Sequence, residues 1–528
     1  MSETTFWQNQ WQRSTIRRFG LWLLSWRVLR FVLVGIACFF TIIVLFYVVE
    51  NWRGKRAWEN CKRELEAQGE QLDLAAFVPP PVPPEQNFAM TPFLAPLFDF
   101  MPGTQTWRDT GAVSRVQQFA SDFPDRALSL ANWRLGRKTD WGLCLETFQE
   151  HTNTGPRLKK MAPADTTPVD PAKAAAAILA HLKPYESVLA ELRTALQRPH
   201  ARFNLCYETE DYTSVLLPHL AVVRRCGQIA ALRALAELTL GQAEDACQDA
   251  LLGLKLADTV VSEPLLVSQL VRCAIVQVTL QPVWEGLADR RWSDTQLRSL
   301  QQRLQQFDFI SHGVQAIRGE RAGGNSLLNL VRAKPMMLAN LGMGENQGSS
   351  FDPIIMLLPR GWLYREQVHY NRLYQEFVLP GSNPKIRQVD PALLEQNDAR
   401  LDRELTRGSA LLEHRFFSRM MLPALTRIHQ KFAHAQAAVD EAVIACALER
   451  HRLAEGRFPE ALDALVPHFL ERLPRDVIGG APLKYRRTDN GQFTLYSVGW
   501  NRADDGGKPG LTKKQTNVDL TQGDWVWR

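Results

Sequence analysis

Nineteen consecutive residues, Phe31 to Val49, carry no charge. As an α-helix this run spans about 28 Å, close to the ~30 Å hydrocarbon core of a bilayer. Arg27 and Arg30 precede it, and Glu50, Arg53, Lys55 and Arg56 follow. Trp22, Trp26, Tyr47 and Trp52 stand where interfacial aromatics belong. A core helix of a soluble domain is seldom this uniformly apolar, and no small-x-small cleavage site follows, as a signal peptide would require. The expectation is a single-pass protein that meets the lipid bilayer through residues 31–49.

The basic residues flanking the run do not orient it. Arg13, Arg17, Arg18, Arg27 and Arg30 on one side are matched by Arg53, Lys55, Arg56, Lys62 and Arg63 on the other. A short basic N-terminus ahead of an uncleaved span usually stays in the cytoplasm. That places the C-terminal domains in the periplasm and the chain in a bacterial inner membrane. With 528 residues, 45% hydrophobic and 22% charged, the remainder reads as two or three globular domains. The net charge of +6 is spread over 62 basic and 56 acidic residues without a long basic block, so nucleic acid is not expected as a partner. The eight cysteines show no zinc-like spacing, and several fall at apolar helix positions where cysteine acts as a small hydrophobe.

The fold class expected is mainly α, with an N-terminal transmembrane helix, an α-helical hairpin domain and a small C-terminal α+β module. Residues 1–50 form the cytoplasmic segment and anchor, and 51–104 a juxtamembrane helix with a Pro-rich spacer. In the latter, Pro79, Pro80, Pro81, Pro83 and Pro84 enforce extended backbone. Residues 105–320 form the α-helical domain, in which the chain from Pro171 to about Phe309 reads as successive helices with apolar residues at three- and four-residue steps and short later turns, hence antiparallel neighbours. Residues 321–422 form an irregular or helical connection, glycine-rich at its start, with a helix over 362–377. Its Gly342–Gly348 stretch lacks the spacing of a nucleotide loop. Residues 423–528 open on a long helix whose apolar stripe, Leu425 to Cys446, suits one-sided packing on a small sheet or partner helix.

Within residues 105–320, Ala234, Gly241, Ala246 and Gly253 stand where a tetratricopeptide unit needs small residues, and this hairpin resembles one. No array follows. At the C-terminus come Gly456-Arg457-Phe458-Pro459, Leu473-Pro474-Arg475-Asp476, Leu495-Tyr496-Ser497-Val498-Gly499 and Asp504-Asp505-Gly506-Gly507. Asp489-Asn490-Gly491 marks a hairpin turn between two alternating strands. This order of long helix, short helix, hairpin and acidic glycine loop resembles the C-terminal half of the major pseudopilins of type II secretion. The resemblance implies that the hairpin lies across the long helix. It also implies a calcium site in the loop, at Asn501, Asp504 and Asp505, whose oxygens suit that ion. The chain departs from the family at its N-terminus, where the apolar helix lacks the early glutamate. The span also lies almost four hundred residues from the long helix, so polymerisation as a pilus subunit is not expected.

No HExxH, GxSxG or P-loop occurs. His429 and His434, five apart, fall on different sides of a helix, while Glu146 and Glu150, four apart, share one face. The expectation is a non-enzymatic, membrane-anchored bacterial envelope protein for protein interaction or scaffolding, linked to secretion, with an envelope protein partner. The alternative is a membrane-anchored hydrolase with its site between the helical domain and residues 321–422.

Overall fold

The structure is a computed structural model that describes residues 26–124, 126–128, 131–152, 169–207, 212–334, 359–409, 413–422, 425, 427–488 and 491–528. It is mainly helical with small sheets. The uncharged run lies in α1 (Trp26–Ala67), the one described helix near the N-terminus long and apolar enough to cross a membrane. Along the run Phe31, Phe39 and Ile42 touch little else and are largely exposed. α1 does not break at the charged end of the run but continues for five more turns until Gly69, at φ +84, ends it.

Eight α-helices come next among the described residues, and the last six lie where the three- and four-residue steps put them. They are α2 (Thr110–Ser121), α3 (Trp141–Thr152), α4 (Pro171–Leu182) and α5 (Glu186–Ala195). α6 (Pro218–Thr239), α7 (Ala243–Asp258), α8 (Leu266–Ala288) and α9 (Asp294–Leu304) complete the run. Local chemistry sets their starts. Asp170 caps α4 with Pro171 at its first turn, and Ser293 with Gln296 forms a capping box on α9. Gly241, at φ +80, turns α6 into α7, with Ala234 and Ala246 fully buried. The other small residue, Gly253, serves a third helix: a Cβ there would meet Thr279 Oγ1 of α8 at 2.6 Å. α8 is apolar enough to span a membrane, yet it is mostly buried in the body as a core helix.

The glycine-rich start of the irregular or helical connection, from Arg321, is helical, because α10 (Phe309–Ala333) runs through it. A Cβ at Gly323 would strike the Tyr212 ring, and one at Gly324 the Tyr370 hydroxyl, so tertiary packing overrides glycine's weak helix propensity. Residues 335–358, including Gly342–Gly348, lie outside the described residues. α11 (Arg360–Leu373) continues as a π-turn over Tyr374–Val378; β1 (Ser382–Asn383) pairs with β2 (Gln388–Val389), and α12 (Pro391–Thr406) and α13 (Phe416–Met421) follow.

α14 (Ile428–Glu455) is the expected long helix, stopped by left-handed Gly456, but its packing differs from the expected one-sided stripe. Every residue from Phe432 to Arg450 is buried. α8, α9 and α10 cover one side, and β4 (Phe493–Ser497) and β7 (Trp525–Trp527) cover the other. Seven alanines between 433 and 447 let neighbours approach from all directions. The expected hairpin pairs β3 (Lys484–Arg487) with β4, Tyr485 opposite Leu495, although its turn residues 489 and 490 are not described. β7 adds a third strand, Leu495 opposite Trp527, and β5 (Pro509–Leu511) with β6 (Val518–Gly523) forms a second small sheet. One buried apolar cluster runs without interruption from Phe88 to Trp527.

The proline stretch is laid on this body, but Pro84 departs from the expected extended backbone: it opens a short 3-10 turn, Pro84–Gln86, whose first position needs no amide hydrogen. Arg202 Nε donates to the Pro79 carbonyl at 2.9 Å, Phe88 N to the His200 carbonyl at 2.8 Å, and Leu94 and Leu97 are buried. The body instead meets the anchor directly through α11, which crosses α1 at a glycine pair. A Cβ on Gly54 would lie 2.2 Å from the Gly361 carbonyl oxygen. Beyond it, Glu70 pairs with Arg318 at 3.0 Å and with fully buried Arg321 at 2.5 Å. Burial alone would raise the Glu70 carboxyl; the two guanidinium groups hold it below its usual range.

Candidate functional site

The motif residues of the C-terminal region converge under the three-stranded sheet. Asp476 is buried, and its carboxylate accepts from Ser497 Oγ at 2.8 Å, Ile478 N at 2.9 Å and Val498 N at 3.2 Å. Ser497 N in turn donates to Glu441 Oε1 of α14 at 3.3 Å. The turn after β4 needs Gly499, at φ +67, where a Cβ would lie 2.4 Å from the Gly523 carbonyl oxygen. Asp476 and Ser497, twenty-one positions apart, thus form one clasp that fastens sheet to helix. Neighbouring Asp440 accepts from Gln436 Nε2 at 3.0 Å and from Arg387 at 3.4 Å.

Burial pushes the Asp440 carboxyl up to about 7, against the pull of Arg387. It drives Glu441 well above the usual range, with Asp476 adding repulsion. Burial raises Asp476 too, against its three donors. Raised acids of this kind are often catalytic. Here, however, five surface clefts of the described residues are lined by other residues, Asp476 spends its oxygens on two backbone amides and the Ser497 hydroxyl, and Glu441 takes the Ser497 amide. The arrangement is that of a locked core.

Asn501, Asp504 and Asp505 do come together on one exposed loop. Asn501 Nδ2 donates to Asp505 Oδ2 at 2.8 Å, while Asp504 accepts from the Tyr496 hydroxyl at 2.9 Å and faces Lys484 Nζ at 3.4 Å. The Tyr496 hydrogen bond, followed by that of Gly506 N, holds Asp504 below the usual carboxylate range. Fully buried Asp524 takes the loop amides of Gly507 at 2.7 Å and Asp505 at 3.2 Å. The donor type therefore suits calcium, but a cation there must displace Lys484 and the Asn501 amide. Among the described residues, no group of three or more His, Cys, Asp or Glu is placed to hold a metal.

The remaining candidates have structural surroundings. Glu146 and Glu150 are exposed on α3. His429 is buried with Nδ1 2.7 Å from Ser382 Oγ, and burial pushes it down to about 4. His434 packs edge-on against Trp525. Glu366, in the region where a hydrolase site is the alternative, is pushed up to about 7 by burial; its oxygens cap α13 through Phe416 N and Ser418 N, both at 2.9 Å. Sequence reasoning missed a buried trio, His219, Glu263 and Ser268. In it Glu263 lies between the others, 2.7 Å from His219 Nε2 and accepting from Ser268, so the serine faces the carboxylate and not the histidine, unlike a Ser–His pair. Only the fold brings these three together; no sequence spacing marks them. Compared with family models, curated proteins and solved structures, the chain matches none.

Proposed function

We propose that this chain is a single-pass, membrane-anchored envelope protein of bacterial type that works as a scaffold. It holds a folded body at a fixed angle and height on the periplasmic side of the inner membrane and presents it to an envelope protein partner. The observation that carries this reading is the clamp on α1. The helix leaves the apolar run unbroken and is gripped by Gly361, by Arg365 on Glu50 at 3.3 Å, and by Arg318 and Arg321 on Glu70. A tether would leave the body free to turn; a clamped helix transmits position. The C-terminal unit is read as a pseudopilin-like module, which links the chain to secretion, and the Asp476–Ser497 clasp supports that reading by joining two of the motif segments. Calcium belongs to the same proposal, held by Asn501, Asp504 and Asp505 to brace the loop. The hydrolase alternative gains no specific support from the described residues.

Affinity capture of the full chain from detergent-solubilised membranes, with and without chelator, tests the reading. A stoichiometric protein partner is expected. Recovery of none in either condition sinks it.

A further inference from the structure

Where α11 crosses α1, the two helices enclose a cleft of about 560 Å³. α1 contributes Trp52, Arg53 and Arg56; α11 contributes Arg365, His369 and Arg372 from successive turns of one face. Four guanidinium groups thus line one opening. Among the described residues the only carboxylate paired with any of them is Glu50, 3.3 Å from both Arg53 and Arg365. Arg56 lies over the Trp52 ring, 5.4 Å from its centre, and Trp52 is largely exposed. Burial, then the charges of Arg415, Arg372 and Arg365, hold His369 below its ordinary value, so the cleft is cationic without it. Its height is fixed by the helix. Trp52 follows the last uncharged residue, Val49, by about 5 Å and Arg56 by about 10 Å. The headgroup layer reaches about 5–8 Å beyond the hydrocarbon.

We propose that this cleft binds the phosphate headgroup of an anionic phospholipid in the leaflet at the C-terminal end of the span. The proposal rests on the membrane-anchored reading above. Guanidinium forks match phosphate oxygens in pairs, and Trp52 is the side chain expected beside a headgroup. A soluble phosphate would meet the same arginines. Lipid is the occupant because the mouth of the cleft, at Trp52 and Arg53, opens at headgroup height on the helix that carries the apolar run, with Arg56 just above it.

Native mass spectrometry of the full chain, released from nanodiscs of equal phosphatidylglycerol and phosphatidylcholine, reads the result. Retention of phosphatidylglycerol over phosphatidylcholine by about tenfold is expected. Arg56→Gln with Arg372→Gln should bring the ratio close to one; Arg53→Gln with Arg56→Gln, both exposed on α1, should lower it with the body's melting temperature intact. Arg290→Gln, in a distant cleft, should leave it unchanged. Equal retention by the unaltered chain, or a preference that survives both double variants, overturns the proposal. Loss of the preference to glycerol 3-phosphate or inorganic phosphate at equal concentration would make the site one for soluble anions and overturn it as well. Flotation separates this failure from that of the anchor. A chain that leaves phosphatidylcholine vesicles at high salt has no span, whereas one that floats with them but shows no headgroup preference lacks only this site.

Discussion

At Asp476 a single carboxylate satisfies one side-chain hydroxyl and two backbone amides. Asp476→Ala leaves these buried donors without a partner and is expected to destabilise the full chain by about 3–5 kcal/mol, read by denaturant unfolding in detergent. Asp440 supplies a pH dependence. Its folded value, about 7, lies above its ordinary 3.8, so between these the folded state holds a proton that the unfolded state has released. Its contribution is therefore fully present below about pH 4 and declines as pH rises to 7. Buried His429 acts in the opposite direction. Depressed from 6.5 to about 4, it withdraws stability as pH falls through that interval. The two partly cancel in the unaltered chain, so the informative quantity is a difference. Asp440→Asn should gain on the unaltered chain from pH 4 to pH 7, by at most about 1.4 kcal/mol per pH unit. Parallel stability curves would refute this assignment.

The decisive contact between elements is the crossing of α1 and α11. A Cβ on Gly361 would lie 2.0 Å from the Glu50 carbonyl oxygen, which is backbone and cannot swing aside. Gly361→Leu is expected to part the helices and cost about 3 kcal/mol, with faster amide exchange in α11. Gly35→Ala in the same α1, where nothing lies within 4 Å, should change the melting temperature little. The acidic loop gives a second test at this scale. Calcium should raise the melting temperature of the full chain, and Asp505→Asn should abolish the rise; no response to calcium removes the metal from the proposal.

Across the whole molecule the C-terminal strand closes the core. Trp527 is buried against Trp133, ring centres 5.1 Å apart, and Trp284 Nε1 donates to the Arg528 carbonyl. Deleting residues 525–528 should therefore loosen the helical body as well as the sheet, by more than about 4 kcal/mol. Limited proteolysis would show cleavage within α8 that the full chain resists. Because α14 is covered by α8, α9 and α10 as much as by the sheet, residues 423–528 expressed alone are expected to give no cooperative thermal transition in circular dichroism.

Much of this was legible in the chain itself. The uncharged run, the helices from α4 to α9 and the β3–β4 pairing follow from charge, three- and four-residue steps and turn chemistry. All of these act within a few residues of one another. What depended on distant partners was not legible. Gly323 and Gly324 left the start of the connection open between irregular and helical, because the rings of Tyr212 and Tyr370 that make a helix of small residues acceptable lie far off in sequence. α14 read as packed on one side because nothing near Asp440 or Glu441 announces Arg387, Ser497 or Asp476. β7 is three residues long, too short for any alternation to register, and is a strand only because β4 offers it a ladder. The sequence alone determined that the chain has an apolar helix of membrane length and a helical body. Only the tertiary structure decided that the two are clamped together at a glycine crossing and that the arginines of α1 and α11 share one cleft. Close approach of two backbones and the meeting of like charges are properties of packing, which no local pattern encodes.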